Sequence, residues 1–170
     1  KLVQMMVGRE LVAMYGSRKP EEKVGEEFFR VEGIGRAGFY KDVTFSVRRG
    51  EIVGVAGLVG SGRTEVARGI FGVEPIDQGQ IWLNGKPVRI RRPQDAIALR
   101  IAYLTEDRKT QGLYLNMTVA ENCVAPSLGR FSRAGFLQEQ RIRDFAEECC
   151  RVFRIVTPSV HQKVMNLSGG

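Results

Sequence analysis

One histidine, one tryptophan and three cysteines occur in 170 residues, and no long apolar run is present. Each shortage removes a class of function. No hydrophobic stretch approaches the ~20 residues that a membrane-spanning helix needs. Lys1 to Val7 is too short for a signal peptide and lacks a cleavage-site pattern. Cys123, Cys149 and Cys150 are odd in number and include no C-x-x-C pair. Adjacent Cys149 and Cys150 have poor geometry for an ordinary disulfide. This usage suggests a reducing, cytosolic compartment. Nothing in the sequence pairs a cysteine with His161, so thiol catalysis is not expected, and His161 is expected in a loop or on the surface.

The remaining composition is that of a soluble globular chain, with 43% hydrophobic and 26% charged residues. A chain of this length fits one domain, or one domain plus an appendage, and buries about 70% of its unfolded surface. The net charge is +7, with arginines at 48–49, at 89, 91 and 92, and at 141 and 143. No aromatic interleaving accompanies them, so they read as solvated faces or assembly contacts. A nucleic-acid binder is a rival reading, and no nucleic-acid partner is expected.

The most informative stretch is Glu51 to Phe71. Ile52 to Ala56 reads as a buried strand, and Val66, Ala67, Ile70 and Phe71 mark one face of a helix. Between them lie Gly57, Leu58, Val59, Gly60, Ser61, Gly62, Arg63 and Thr64. A strand, a glycine-spaced loop and a helix form the context of a phosphate-binding loop. The glycines let the backbone approach an anion, and the helix presents its positive end. The pattern G-x-x-x-x-G-K-[ST] is met except at position 63, where Arg replaces Lys. Arg is a bulkier planar fork and does not substitute for a compact ammonium. Weakened or altered nucleotide binding is therefore expected. The alternative is a glycine-rich turn that binds nothing.

Along the chain, residues 1 to 27 read as the end of a preceding domain and a charged linker. Phe28 to Glu32 and Asp42 to Val47 read as strands, the second half-buried by its alternation. Gln80 to Leu83 and Lys86 to Ile90 form a hairpin turned by Asn84-Gly85, with Trp82 in the local core. Pro93 to Arg100 suits a helix, Ile101 to Leu104 a buried strand, and Thr105 to Gly112 a charged loop facing the phosphate loop. Thr118 starts a helix, with Glu121 completing a capping box. Residues 137 to 154 are an amphipathic helix with Ile142, Phe145, Ala146, Cys149 and Phe153 as its core stripe.

Leu167-Ser168-Gly169-Gly170 resembles the signature motif of ABC transporter ATPases, and it follows the phosphate loop by ~105 residues, beyond a helical segment, as in that family. More narrowly, Gly57 to Glu65, Thr105 to Lys109 and Met6 to Leu11 resemble the double-domain ATPases of ribose-, galactose- and xylose-type sugar importers. The match is to their second, degenerate nucleotide-binding domain. The resemblance covers essentially the whole chain and implies a fragment that ends after the signature. The implied fold is an α/β P-loop core sheet with a small antiparallel β part and a helical subdomain, incomplete at its C-terminus. The implied boundaries are 28–115 for the nucleotide-binding core and 116–170 for the helical part.

The same resemblance implies roles. Gly57 to Thr64 is the Walker A loop for ATP, and Thr64 would hold Mg²⁺. Glu106 occupies the Q-loop position, where the family carries a glutamine. Ser168 to Gly170 would cap the γ-phosphate held by the opposite domain, and Phe39 is the candidate for stacking on adenine. No catalytic base is expected in this stretch. The implied partners are the first nucleotide-binding domain of the same chain, transmembrane permease subunits and, indirectly, a periplasmic sugar-binding protein. The implied location is the cytoplasmic face of the inner membrane. A nucleotide-sensing regulatory or structural module is the rival from another class.

Overall fold

A computed structural model of the protein describes residues 25–167. The expected domain tail and tether up to residue 24, and signature residues Ser168, Gly169 and Gly170, lie outside the described residues. The chain divides into two units between Tyr103 and Leu104.

The first unit is built on a four-stranded antiparallel sheet in the order β2-β1-β3-β4. Its strands are β1 (Glu27–Arg36), β2 (Tyr40–Arg48), β3 (Gln78–Leu83) and β4 (Lys86–Val88). Strand β1 runs four residues past the expected Glu32. It does so through a bulge, since Val31 pairs with Phe45 but Ile34 with Val43. A bulge inserts one residue and flips the alternation. Val31 and Ile34 therefore share one face, and both are fully buried. Gly33 takes φ 59° there, and its amide donates to Thr44 Oγ1 at 2.9 Å. The β3–β4 turn has Asn84 at φ 50° and Gly85 at φ 70°, the two positive values that a type I′ hairpin turn requires.

Helix α1 (Arg63–Ile70) lays Val66 and Ile70 against the Val31–Ile34–Ile81 core. Helix α2 (Pro93–Ala98) begins with proline, whose missing amide costs nothing in the first turn. Asp95 accepts from the Arg91 and Arg92 amides at 3.0 and 3.2 Å. These bonds, the Arg91 amide's foremost, hold its carboxyl below the usual range.

Two expected strands are corrected. Ile52 to Ala56 and Ile101 to Leu104 are not strands, and among the described residues neither run has a ladder partner. Ile52 is 92% exposed and Leu104 93%. A continuous apolar run suits a strand buried on both faces. Strand character depends on hydrogen bonds to neighbouring strands, and among the described residues these two runs make none.

In the second unit, helix α3 (Val119–Val124) starts at Thr118 with the expected capping box. The helix leads through a 3₁₀ segment, Ala125–Phe131, to a hairpin of β5 (Ser132–Arg133) and β6 (Phe136–Leu137). Helix α4 (Glu139–Phe153) follows. Ala120, Ala146 and Val160 form the core, with Cys123, Ile142 and Cys150 against it. Phe145 packs against Phe131 with ring centroids 5.1 Å apart and the planes tilted by 49°. The expected stripe fails only at its end. Phe153 is 73% exposed, because α4 terminates there with Arg154 at φ 54°. All three thiols are free. Burial pushes the Cys123 thiol up to about 11, with Cys149 and Cys150 adding to the effect. A thiol raised in this way holds little thiolate at neutral pH.

Candidate nucleotide site

Gly57 to Gly62 is a loop that folds on itself before entering α1 at Arg63. The Ser61 amide donates to the Leu58 carbonyl at 3.1 Å. A Cβ on Gly57 would lie 2.5 Å from Ser61 Oγ and 3.2 Å from Ser61 Cβ, so any larger residue there would displace the Ser61 side chain. Gly62 is the N-cap of α1 with φ 84° and supplies no capping side chain. The first-turn amides of α1 are thus left without a side-chain acceptor, which is the condition for anion binding at a helix start. Leu58 and Val59 are 86% and 99% exposed. Gly60 adds a second left-handed residue at φ 82°.

Arg63 is the first residue of α1 and is exposed. Its Nη2 reaches back to the Leu58 carbonyl at 3.5 Å, the outer limit of a hydrogen bond. Thr64 follows with its side chain exposed.

The β1–β2 turn is packed directly against this loop. A Cβ on Gly62 would lie 2.9 Å from the Phe39 carbonyl oxygen. Phe39 is 53% exposed, and the Arg36 guanidinium sits 4.1 Å from its ring centroid. A cavity of about 470 Å³ opens here, lined by Arg36, Phe39, Tyr40, Lys41, Asp77 and Gln78 among others. The segment after α1 pins the turn. Asp77 Oδ2 accepts from the Ala37 amide at 2.8 Å, and the Asp77 amide donates to the Gly35 carbonyl at 2.9 Å.

Four side chains, Glu74, Arg36, Arg68 and Tyr40, extend this clamp. Glu74 pairs with Arg36 and, at 2.9 Å, with Arg68 Nε of α1. Tyr40 lays its hydroxyl against Gly69, where a Cβ would stand 2.4 Å away. Among the described residues that hydroxyl is buried without a partner. Burial chiefly raises the Tyr40 phenol, and Arg36 opposes the shift. Sequence reading missed Arg36, Glu74 and Arg68. Gly72 to Gly79 reads as a polar connection, and no local signal joins Glu74 to a residue 38 positions away.

Glu106 and Leu167 belong to the second unit. Glu106 is exposed beside a loop closed by Asp107, which accepts from the Lys109 and Thr110 amides at 3.1 Å. The Thr110 hydroxyl, then these amides, hold the Asp107 carboxyl below its usual range. The chain leading to Leu167 runs beside the start of α3. The amides of Val164 and Met165 donate to the Met117 and Leu115 carbonyls at 3.0 and 2.9 Å. Those of Val119 and Ala120 donate to Gln162 and Val160 in return. Leu167 is half-buried, and its amide donates to the Val164 carbonyl at 3.0 Å.

Several of the clustered arginines are exposed, as expected of solvated faces, and also touch neighbours in the fold. Arg49 stacks on Phe28 at 4.4 Å and donates to Asn84 at 2.7 Å. Arg92 pairs with Asp95, and Arg141 lies 6.0 Å from the Phe131 ring.

A glycine loop opening a helix, beside a small antiparallel sheet, is the architecture of an ATP-binding cassette. The model of the family described as "ABC transporter" matches residues 40–170. The chain belongs to the ABC transporter family of ATP-binding proteins. It is 51% identical to the ribose import ATP-binding protein RbsA 3 of Rubrobacter xylanophilus over 170 residues. It is 45% identical to a putative ribose/galactose/methyl galactoside import ATP-binding protein of Halalkalibacterium halodurans over 169 residues. These matches take in 100% and 99% of this chain but only 34% and 32% of the relatives. The chain therefore spans about a third of the length of the curated relatives it matches. Among solved structures, it is similar to a nucleotide-free ATP-binding cassette from an ABC transporter. The TM-score is 0.60 at 21% identity, covering 85% of this chain and 60% of that one. A dimeric cassette in a post-hydrolysis state with ADP and Pi gives 0.62 at 20% identity, over 83% and 63%. These likenesses establish the cassette fold.

Proposed function

We propose that this chain is the second, degenerate nucleotide-binding domain of a double-domain ATPase that drives sugar import. The observation that carries this reading is Arg63 at the head of α1, where a phosphate loop places lysine. The loop itself keeps its glycine geometry. A compact Lys can curl into such a loop, whereas a planar guanidinium is held outside by its width. On this reading the loop binds ATP weakly and hydrolyses it slowly or not at all.

The residues present fit a nucleotide in part. The amides of the loop and of α1 would hold phosphate oxygens, with the helix start favouring negative charge. Thr64 would offer its hydroxyl to Mg²⁺, a cation that prefers oxygen ligands and neutralises phosphate charge. Phe39 would stack on the base. Glu106 would place a carboxylate at the Q-loop position.

The main task of this half is to present Ser168, Gly169 and Gly170 to the nucleotide site of the first domain. The pairing of residues 160–167 with the start of α3 supports this role, because it fixes the chain up to Leu167. Residues 28–115 would be the nucleotide-binding core and 116–170 the helical part. The partners would be the first domain of the same subunit, membrane permease subunits and, through them, a sugar-binding protein. The subunit would sit peripherally on the cytoplasmic face of the membrane. No helix among the described residues is long and apolar enough to cross a membrane.

The test is Ser168→Arg in the intact subunit. The expected result is loss of most ATP turnover with MgATP binding retained, because the bulky cation would block the partner γ-phosphate site. Wild-type turnover in this variant would remove the signature-donor role.

A further inference from the structure

We propose that Glu74 is a positioning residue that sets the nucleotide-base platform and the phosphate-loop helix relative to each other. The inference rests on the nucleotide reading above. Glu74 is largely buried, with its side chain 17% exposed, and it holds two arginines at once. One is Arg36, whose guanidinium lies 4.1 Å from the Phe39 ring centroid. The other is Arg68 in the last turn of α1, whose Nε is 2.9 Å from Glu74 Oε1 in an ion pair that is not aligned as a hydrogen bond. One carboxylate therefore ties the tip of the β1–β2 turn to the helix that carries the phosphate loop.

The geometry gives this tie a consequence. Phe39 is half-exposed beside the cavity, and its carbonyl abuts Gly62 at the start of α1. A planar cation on an aromatic face is favourable, fixes the ring and leaves the opposite face open for a second planar group. Removing the carboxylate would leave Arg36 and Arg68 as like charges without the group that bridges them, and Asp77 is already engaged with the Ala37 amide. Arg36 would then leave the ring for solvent. The hydrogen bonds of Asp77 to Ala37 and Gly35 would remain, so the turn would persist while the ring loses its backing. Glu74 acts through Arg36 and would not touch the nucleotide.

The test compares wild type, Glu74→Gln and Glu74→Asp in equilibrium titrations with MgATP and with magnesium tripolyphosphate, which lacks base and ribose. Glu74→Gln is expected to weaken MgATP binding by about tenfold, the scale of one well-placed cation–π contact. Tripolyphosphate affinity should move less than about twofold, and Glu74→Asp should recover part of the loss. A Phe39→Leu background checks the route. There Glu74→Gln should cost nothing further for MgATP, since coupled residues are not additive. Equal losses for both ligands, no loss for either, or full additivity with Phe39→Leu would overturn the proposal. If wild type binds neither ligand, the nucleotide reading itself fails and takes this proposal with it. If it binds both and Glu74→Gln changes neither, only the positioning role fails.

Discussion

At the residue scale, Gly62 carries two constraints at once. Its φ of 84° is a left-handed value that costs an L side chain roughly 1–2 kcal/mol. A Cβ there would also meet the Phe39 carbonyl at 2.9 Å, and a backbone atom cannot swing aside. Gly60 shares the dihedral, at 82°, but faces open space. Gly62→Ala should therefore lower stability by about 2–4 kcal/mol, the strain plus an overpacking cost. Gly60→Ala should cost only about 1–2 kcal/mol. Urea unfolding of both variants checks the order, and equal costs would show that the turn does not press on the loop. The glycine spacing was legible in the sequence because backbone chemistry fixes which residue tolerates which dihedral. The partner of Gly62 was not, because Phe39 reaches it only through the fold of β1 and β2.

At the element scale, the start of α3 is held by reciprocal bonds. Thr118 Oγ1 accepts from the Glu121 amide at 3.2 Å, and Glu121 Oε2 accepts from the Thr118 amide at 2.7 Å. These bonds, the Thr118 amide's foremost, lower the Glu121 carboxyl below its ordinary 4.5. A lowered folded value means stability that is fully present above 4.5 and disappears as pH falls through the folded value. Thr118→Ala should cost about 1 kcal/mol at pH 7. The gap between wild type and Glu121→Gln should be constant from pH 7 to 5 and close on acidification below 4.5. Thermal melts across that range check both, and a gap that widens in acid would contradict the assignment. This capping box was readable from Thr118 and Glu121 alone, because its partners lie three residues apart. The hairpin at Asn84-Gly85 was readable for the same reason. Ile52 to Ala56 and Ile101 to Leu104 were misread because a strand depends on distant partners. Their apolar composition suits a two-sided sheet that the described residues do not build. The bulge at Gly33 lay equally out of reach, since alternation alone predicts no flip.

At the scale of the whole molecule, the candidate site joins short-range signals to long-range ones. The proposed phosphate loop and its Arg63 are local in sequence. The platform of Arg36, Phe39 and Glu74 is assembled from the β1–β2 turn and the segment after α1. The central claim is that the loop is a true phosphate site degraded by Arg63. Calorimetric titration of wild type and Arg63→Lys with MgATP tests it most directly. The account predicts weak binding by wild type and a gain of about tenfold or more with lysine, the scale of one added charge-assisted contact to phosphate. Equal affinity in the two proteins, or no binding by either, would contradict it.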